Sequence, residues 1–424
     1  MLAEVSKTAV VIGAIARTFT VVVIVGSLFI RETPLVLIVV LNYNDKKMTN
    51  NQEIHQIVRA ELQKAITNEV FPGAAVGIVL PTGTHLFAYA GITPHAPATQ
   101  ETIYDVASVT KSVVTSSIAL LFIEKGWLKL TDRVQSFQDR VQSPQDRVQS
   151  FQDRVQSFQG SEPITIHHLL THTLDFSLTL SELKNESASR IIAAVQNAEL
   201  KSKPGTLYAY VNASSMLLGF ELERVAISHG LPTSLDVLAR QFIFDPLGMK
   251  HSWLGKVPAE MLEQTAPTEI DAWRGGEVRG QVHDESAWKL LTDETGPMYS
   301  GAAGLFTTAA DLVLFLQAFL NGQVVSKEML TLCVQDQRSI LGTNHHAPIG
   351  LGWELEQRHW MGSNISSQTI GKTGYTGSCV VMDLHNSFAV ALLCNHVYPR
   401  RPVDRTKINL FRQQLLNTIV ECIV

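Results

Sequence analysis

Ser108 and Lys111 stand three residues apart in Ser108-Val109-Thr110-Lys111. A serine hydroxyl is a poor nucleophile until a base within hydrogen-bond reach takes its proton, and a spacing of three on a helix puts both side chains on one face. The residues that follow, Val113, Val114 and Ile118 to Ile123, are too apolar for a surface helix and predict a buried one running to Gly126. Ser108 then lies at the N-terminus of that helix. Free backbone N–H groups and the positive end of the helix dipole favour developing negative charge there. The chemistry in view is acyl transfer to a serine.

The spacing alone decides little, because Ser181 with Lys184 and Ser286 with Lys289 match it equally well. Downstream residues single out Ser108. Tyr210-Val211-Asn212 follows the turn signal Pro204-Gly205-Thr206, and Lys372-Thr373-Gly374 lies further on. A tyrosine of ordinary pKa, about 10, is no base at neutral pH, but nearby ammonium groups favour its phenolate. Lys111 and Lys372 are the candidates for that role. The same field pushes a lysine pKa down, so the proton is assigned to Lys111 and Tyr210 jointly. Asn212 offers a donor and an acceptor, suited to a substrate amide or to holding Lys111, and it also suits the N-cap of a helix over Ala213 to Phe220.

In this order the three strings resemble the motifs of the serine β-lactamase and penicillin-binding-protein superfamily, in the Tyr-x-Asn form of class C β-lactamases, D-Ala-D-Ala carboxypeptidases and related esterases. Ile164 to Thr173, Pro204 to Asn212, Val282 to Glu285 and Gly301 to Phe306 resemble recurring segments of the same family, and the likeness covers about residues 53 to 400. It departs at Leu174-Asp175-Phe176, where relatives continue with a small residue and glycine. The resemblance implies Ser108, Lys111 and Tyr210 as catalytic residues. It implies Asn212, Lys372, Thr373, Gly374 and Tyr375 as substrate-binding, with an oxyanion hole made by the N–H groups of Ser108 and Tyr375. Many relatives have histidine where Lys372 stands, so lysine here leans toward an anionic substrate. The implied activity is that of a serine hydrolase, cleaving an amide or ester bond through an acyl-enzyme on Ser108. D-amino-acid peptides, β-lactams and carboxylic esters all remain open as substrates. The alternative is a non-catalytic scaffold or binding protein of the same fold, against which the intact Ser108, Lys111, Tyr210 and Lys372 speak.

The fold that the resemblance implies is α+β and β-lactamase/transpeptidase-like. An antiparallel sheet is flanked by terminal helices, a mostly helical lobe covers roughly residues 106–320, and the active site lies between them. Local patterns agree with this. Gly73 to Leu80 and His85 to Ala90, split by Pro81-Thr82-Gly83, read as a hairpin, and so do Val380-Val381-Met382 and Phe388 to Leu393 around His385-Asn386-Ser387. Ile408 to Ile423 reads as an amphipathic helix. His283 and Asp284 read either as pocket lining or as a satisfied loop pair.

Composition agrees without adding specificity. With 45% hydrophobic and 17% charged residues, the 424-residue chain is globular, with ample core for one large domain or two close-packed lobes. A net charge of -5 argues against nucleic acid as a partner and leaves a small-molecule or peptide substrate. Cys333, Cys379, Cys394 and Cys422 form no C-x-x-C pair and read as free thiols. Adjacent residues on a strand point to opposite faces, so neither His167-His168 nor His345-His346 makes a natural chelate, and no metal or cofactor is expected.

The N-terminus carries an apolar run of 22 residues, Ala9 to Ile30, interrupted by Arg17, and a second run from Leu35 to Leu41. Residues 1–48 read as a hydrophobic extension ahead of a hydrolase domain at 49–424. Residues 9–41 offer a membrane anchor if a helix tolerates Arg17, at about 2.5–3.5 kcal/mol for a central arginine. The 13 residues from Thr18 match a signal-peptide core instead, although no small-x-small cleavage site follows. In another reading these residues are an untranslated extension of the gene and translation starts at Met48. The protein is membrane-anchored in the first case and cytoplasmic in the last.

Asp132-Arg133-Val134-Gln135-Ser136-Phe137-Gln138 recurs from Asp139, Asp146 and Asp153, with Pro144 as the one change. Its valines and phenylalanines make a heptad stripe that Pro144 interrupts. The repeat at 132–159 reads as an insertion tolerated in a surface loop, whose entropic cost grows slowly with length, rather than as an arm for a protein partner.

Overall fold

The computed structural model describes residues 19–30, 33–43, 50–93, 95–134, 163–231, 234–292, 297–343 and 345–424. The heptapeptide repeat beyond Val134 lies outside the described residues. The chain divides into two compact units, residues 1–50 and a larger one from Asn51 to Cys422.

In the smaller unit, Phe19–Ile30 and Thr33–Tyr43 pair as antiparallel strands, with Val21 opposite Leu41 and a register shift between Ile24 and Ser27. This corrects the expectation of a membrane helix for Phe19–Ile30; residues 9–18, the first part of that apolar run, lie outside the described residues. Among the described residues no helix is long and apolar enough to cross a membrane. Val21 to Val25 are all β-branched, and such residues lose χ1 freedom against a helical turn but fit a pleated strand.

The larger unit is built on a seven-stranded antiparallel sheet. Its strands in chain order are β1 (Gly73–Val79), β2 (His85–Thr93), β3 (Ala96–Pro97), β4 (Glu354–Leu355), β5 (Thr369–Thr373), β6 (Gly377–Asp383) and β7 (Phe388–Asn395). Across the sheet the order is β4-β5-β6-β7-β1-β2-β3. The two hairpins expected from sequence are β1–β2, with Gly77 opposite Phe87, and β6–β7, with Val381 opposite Val390. Strand β7 pairs with β1, Leu392 opposite Val76, and so joins the two ends of the chain in one sheet.

Strands β1, β6 and β7 are buried along their whole length, which explains why they read as unbroken apolar runs rather than alternating ones. Helices cover both faces. Helix α1 (Asn51–Thr67) buries Ile54, Val58, Leu62 and Ala65, the spacing of one helical face. The C-terminal helix α5 (Thr406–Ile423) buries Ile408, Phe411, Leu415 and Ile419 beside it, with the Phe71 and Phe411 rings 5.1 Å apart. Helix α4 (Ala309–Leu320) packs on β1 and β7 at a glycine. A Cβ at Gly77 would meet Val313 Cγ2 at 2.4 Å, so the helix approaches because none is there.

The helical part is threaded by α2 (Ser117–Glu124) and α3 (Asn212–Ser228), and carries a three-stranded sheet in which Leu305–Thr307 lies between Tyr104–Asp105 and Trp253–Leu254. One contiguous core runs from Val79 and Leu393 of the sheet to Ile118 and Met216 of these helices. The fold is α+β, as expected, and the strings picked out by sequence meet where sheet and helices join.

Candidate active site

The chain enters the site through Tyr104–Asp105 and turns sharply at Ala107, whose φ is +47°. An alanine in this left-handed region costs about 1–2 kcal/mol and is held only by over-determined surroundings. Asp105 provides them. Its Oδ1 accepts from the Ala107 N–H at 2.7 Å and its Oδ2 from the His283 N–H at 2.7 Å. Thr110 Oγ1 closes the turn, donating to the Ala107 carbonyl at 2.6 Å and accepting from the Leu305 N–H at 3.0 Å.

Ser108 follows at the start of the helical segment, as expected. The segment itself differs from expectation, since Lys111–Ser116 winds as a π-helix before α2 continues to Glu124. The Ser117 N–H and hydroxyl both take the Ser112 carbonyl five residues back, the hydroxyl at 2.8 Å. Ser112 Oγ reaches the Gly352 carbonyl at 2.8 Å, and Thr115 Oγ1 reaches that of Gly301 at 2.7 Å. Buried hydroxyls thus draw this turn wide, a departure often found at functional sites.

Lys111 is 2% exposed. Its Nζ donates to Ser108 Oγ at 2.9 Å and to the Ala302 carbonyl at 2.7 Å. Burial lowers its pKa; the nearby Tyr210 works against this and the Lys372 charge works with it. Lys111 is thereby moved toward its neutral, proton-accepting form.

Tyr210 lies two residues ahead of the body of α3, with its ring centre 5.3 Å from Lys111 Nζ and 4.1 Å from Lys372 Nζ. Its surface is 42% exposed, yet its hydroxyl is within reach of Ser108 and Lys111. Burial opposes ionisation of the phenol, but Lys111, then Lys372 and the Ser108 hydroxyl outweigh it, and the pKa falls below the ordinary tyrosine value. His172, at φ +53°, packs its ring 4.9 Å from that of Tyr210.

Asn212 is not the cap of α3. Val211 occupies the N-cap position and no side chain caps it. Asn212 Nδ2 instead donates to Asp284 Oδ2 at 2.9 Å. Asp284 in turn caps the helix Glu285–Leu291, its Oδ1 accepting from the Ala287 N–H at 2.9 Å and from Ser286 Oγ at 2.6 Å. Both sequence readings of Asp284 therefore hold, because it is satisfied and also lines a groove of about 400 Å³ with Tyr210, Asn212, Leu178 and Leu180.

Lys372 is on β5, 2% exposed, and its Nζ donates to Glu354 Oε1 at 2.6 Å. Burial works against its charge, but Glu354, then Tyr210 and Tyr208, outweigh it and the pKa rises above the ordinary lysine value. Sequence reasoning missed Glu354, which nothing in its neighbourhood marks. It reaches Lys372 only because β4 pairs with β5, Glu354 opposite Gly371. The Ala302 carbonyl was missed too, although Gly301 to Phe306 resembles a family segment.

Thr373 ends β5 opposite Cys379, and the Gly374 N–H donates to the Ser378 carbonyl at 2.7 Å. Tyr375 is 39% exposed and stacks on His283, ring centres 5.5 Å apart. Among the described residues neither the Ser108 N–H nor the Tyr375 N–H has a hydrogen-bond partner.

The two competing strings are explained locally. Ser286 Oγ belongs to the Asp284 cap, while Lys289 Nζ lies 5.6 Å from the Trp288 ring centre and Lys184 Nζ 5.4 Å from that of Trp273. All four cysteines are free, three of them buried.

The family model described as Beta-lactamase matches residues 54–413. A putative D-alanyl-D-alanine carboxypeptidase of Salmonella enteritidis is 28% identical over 340 residues, covering 74% of this chain and 73% of that protein. The β-lactamase/D-alanine carboxypeptidase of Yersinia pestis, solved with citrate, superposes with a TM-score of 0.64 at 20% identity, over 88% of this chain and 100% of that one. The D-amino acid amidase of Ochrobactrum anthropi, solved with L-phenylalanine amide, gives 0.60 at 19% identity, over 86% and 98%. The likeness to the solved structures is one of fold. The family match spans both the sheet and the helices that carry Ser108, Tyr210 and Lys372, and the chain belongs to the β-lactamase family.

Proposed function

We propose that this protein is a serine hydrolase that cleaves an ester or amide bond through an acyl-enzyme on Ser108. The observation that carries the reading is the buried Lys111 Nζ at 2.9 Å from Ser108 Oγ, with the Tyr210 hydroxyl within reach of both. One N–H of Lys111 is held by the Ala302 carbonyl, which aims the nitrogen at the serine.

In the first step the Ser108 proton passes to the Lys111–Tyr210 pair as Oγ bonds to the substrate carbonyl carbon. The oxyanion forms against the N–H groups of Ser108 and Tyr375, where preorganised donors are worth about 3–4 kcal/mol each. Collapse breaks the bond to the leaving group, which takes the proton from the same pair. Water then attacks the acyl ester, gives its proton to the pair, and releases the acid as Ser108 recovers its own. Asn212, Lys372, Thr373 and Gly374 orient the substrate. Relatives described as a carboxypeptidase and an amidase support an amide or ester as the scissile bond.

The test is the intact mass of wild type and Ser108→Ala after exposure to a fluorophosphonate, with turnover of a 4-nitrophenyl ester measured in parallel. A single adduct and turnover are expected for wild type, and neither for Ser108→Ala. Wild type that shows no adduct and no turnover would falsify the reading.

A further inference from the structure

The cation that the Lys-Thr-Gly string supplies is already occupied. Lys372 Nζ lies 2.6 Å from Glu354 Oε1 and 4.1 Å from the Tyr210 ring centre, and the residue is 2% exposed. Glu354 is fixed from its far side as well, since its Oε2 accepts from Trp360 Nε1 at 3.1 Å. A substrate carboxylate seeking this ammonium would have to settle beside an anion in a site of low dielectric, where like charges a few ångströms apart repel strongly.

The groove next to Tyr210 does not compensate. Its walls include Asp284 and Glu285 and neither lysine nor arginine. Asp284 accepts from the neutral Asn212 amide at 2.9 Å and Glu285 pairs with Arg401 at 2.7 Å, so the groove is walled by acidic side chains and offers no free cation.

We propose that Glu354 is a specificity-determining residue, and that by occupying Lys372 it restricts the site to acyl donors without a carboxylate, namely neutral esters and amides. This rests on the serine-hydrolase reading above. It also reverses the lean toward anionic substrates that Lys372 suggests when the sequence is read alone, because that lean assumes an unpaired ammonium.

Two esters with one leaving group separate the cases. 4-Nitrophenyl butyrate and 4-nitrophenyl hemisuccinate differ in a terminal carboxylate. Full-length wild type should favour the butyrate in kcat/KM by about tenfold or more, roughly the discrimination of one unfavourable charge contact. Glu354→Gln keeps an acceptor for Trp360 and frees Lys372, and should move the ratio about tenfold toward the hemisuccinate, mainly through KM. Fluorophosphonate labelling of Ser108, read by intact mass, reports the nucleophile separately. A labelled wild type that prefers the hemisuccinate overturns the proposal, and so does a ratio that Glu354→Gln leaves unmoved. Wild type that takes no label overturns the serine-hydrolase reading, and the proposal with it. Should Glu354→Gln yield no folded protein, the wild-type ratio still decides, for the butyrate in support and for the hemisuccinate against.

Discussion

Arg412 Nη2 donates to the Gly377 carbonyl at 2.6 Å from a side chain that is wholly buried. The same guanidinium reaches the carbonyls of Gly374 at 3.1 Å and Ser378 at 3.0 Å, and Asn409 Oδ1 at 2.8 Å. It stands on α5, opposite the Lys-Thr-Gly turn. A fork of five fixed donors suits three converging carbonyls in a way that an ammonium does not. The turn that presents the Tyr375 N–H is therefore tied to the C-terminal helix and not only to its own strands.

Removing that fork should cost both stability and activity. In Arg412→Met the carbonyls of Gly374, Gly377 and Ser378 lose a buried donor, at about 1–3 kcal/mol for each group left without water or partner. Urea unfolding should show a midpoint clearly below that of wild type. Ester turnover per folded molecule should fall as well, because the Tyr375 N–H loses its support. Arg412→Lys should recover part of the stability and little of the rate. A methionine variant as stable and active as wild type would show that the turn holds itself.

The pH dependence of turnover belongs to Lys111 and Tyr210 as a pair. Both pKa values lie below their ordinary ranges, Lys111 chiefly by burial and Tyr210 because two ammonium groups outweigh the burial that opposes its ionisation. Turnover should rise with pH through one apparent pKa below the usual tyrosine range and then level. Tyr210 raises the Lys111 pKa, so Tyr210→Phe should lower the rate and also move this limb to lower pH. Lys111→Arg stays charged and accepts no proton. It should lose about 10²–10⁴ in kcat at every pH. A limb that moves upward in Tyr210→Phe would contradict the coupling.

How much of this was legible depended on distance along the chain. Ser108 and Lys111 lie within one turn, so residue type and spacing carried their relationship, and the buried apolar runs carried the two hairpins. Glu354 could not be found this way, because it meets Lys372 through strand pairing whose register is set by the whole sheet. Arg412 shares a buried helix face with Phe411 and Leu415, where an apolar periodicity counts a charge as an exception and does not say what it holds. The π turn at Lys111–Ser116 follows from hydroxyl-to-carbonyl bonds that no hydropathy pattern contains. At the N-terminus, the length of the apolar run suggested a helix. Its β-branched composition was the better guide to the paired strands.

Gly374 is the position where the site tolerates least. A Cβ built there would lie 2.2 Å from the Val106 carbonyl oxygen and 3.1 Å from its carbon, both backbone atoms that no side-chain rotation can clear. Val106 is two residues ahead of Ser108, and Gly374 is one ahead of Tyr375, so relief of the clash should shift the two N–H groups proposed to hold the oxyanion. Gly374→Ala should accordingly leave a folded protein, with a melting temperature lower by a few degrees, corresponding to about 1–3 kcal/mol of overpacking. Its kcat should fall by about 10²–10³, the usual effect of losing one oxyanion donor, with KM changed far less. Thr67→Ala is the control, since Thr67 is an exposed residue at the end of α1 that lines no part of the groove beside Tyr210, and its loss should leave kcat unchanged. The measurement is steady-state turnover of a neutral ester beside a thermal melt of each variant. A Gly374→Ala enzyme within twofold of wild type would mean that the Tyr375 N–H takes no part in holding the oxyanion.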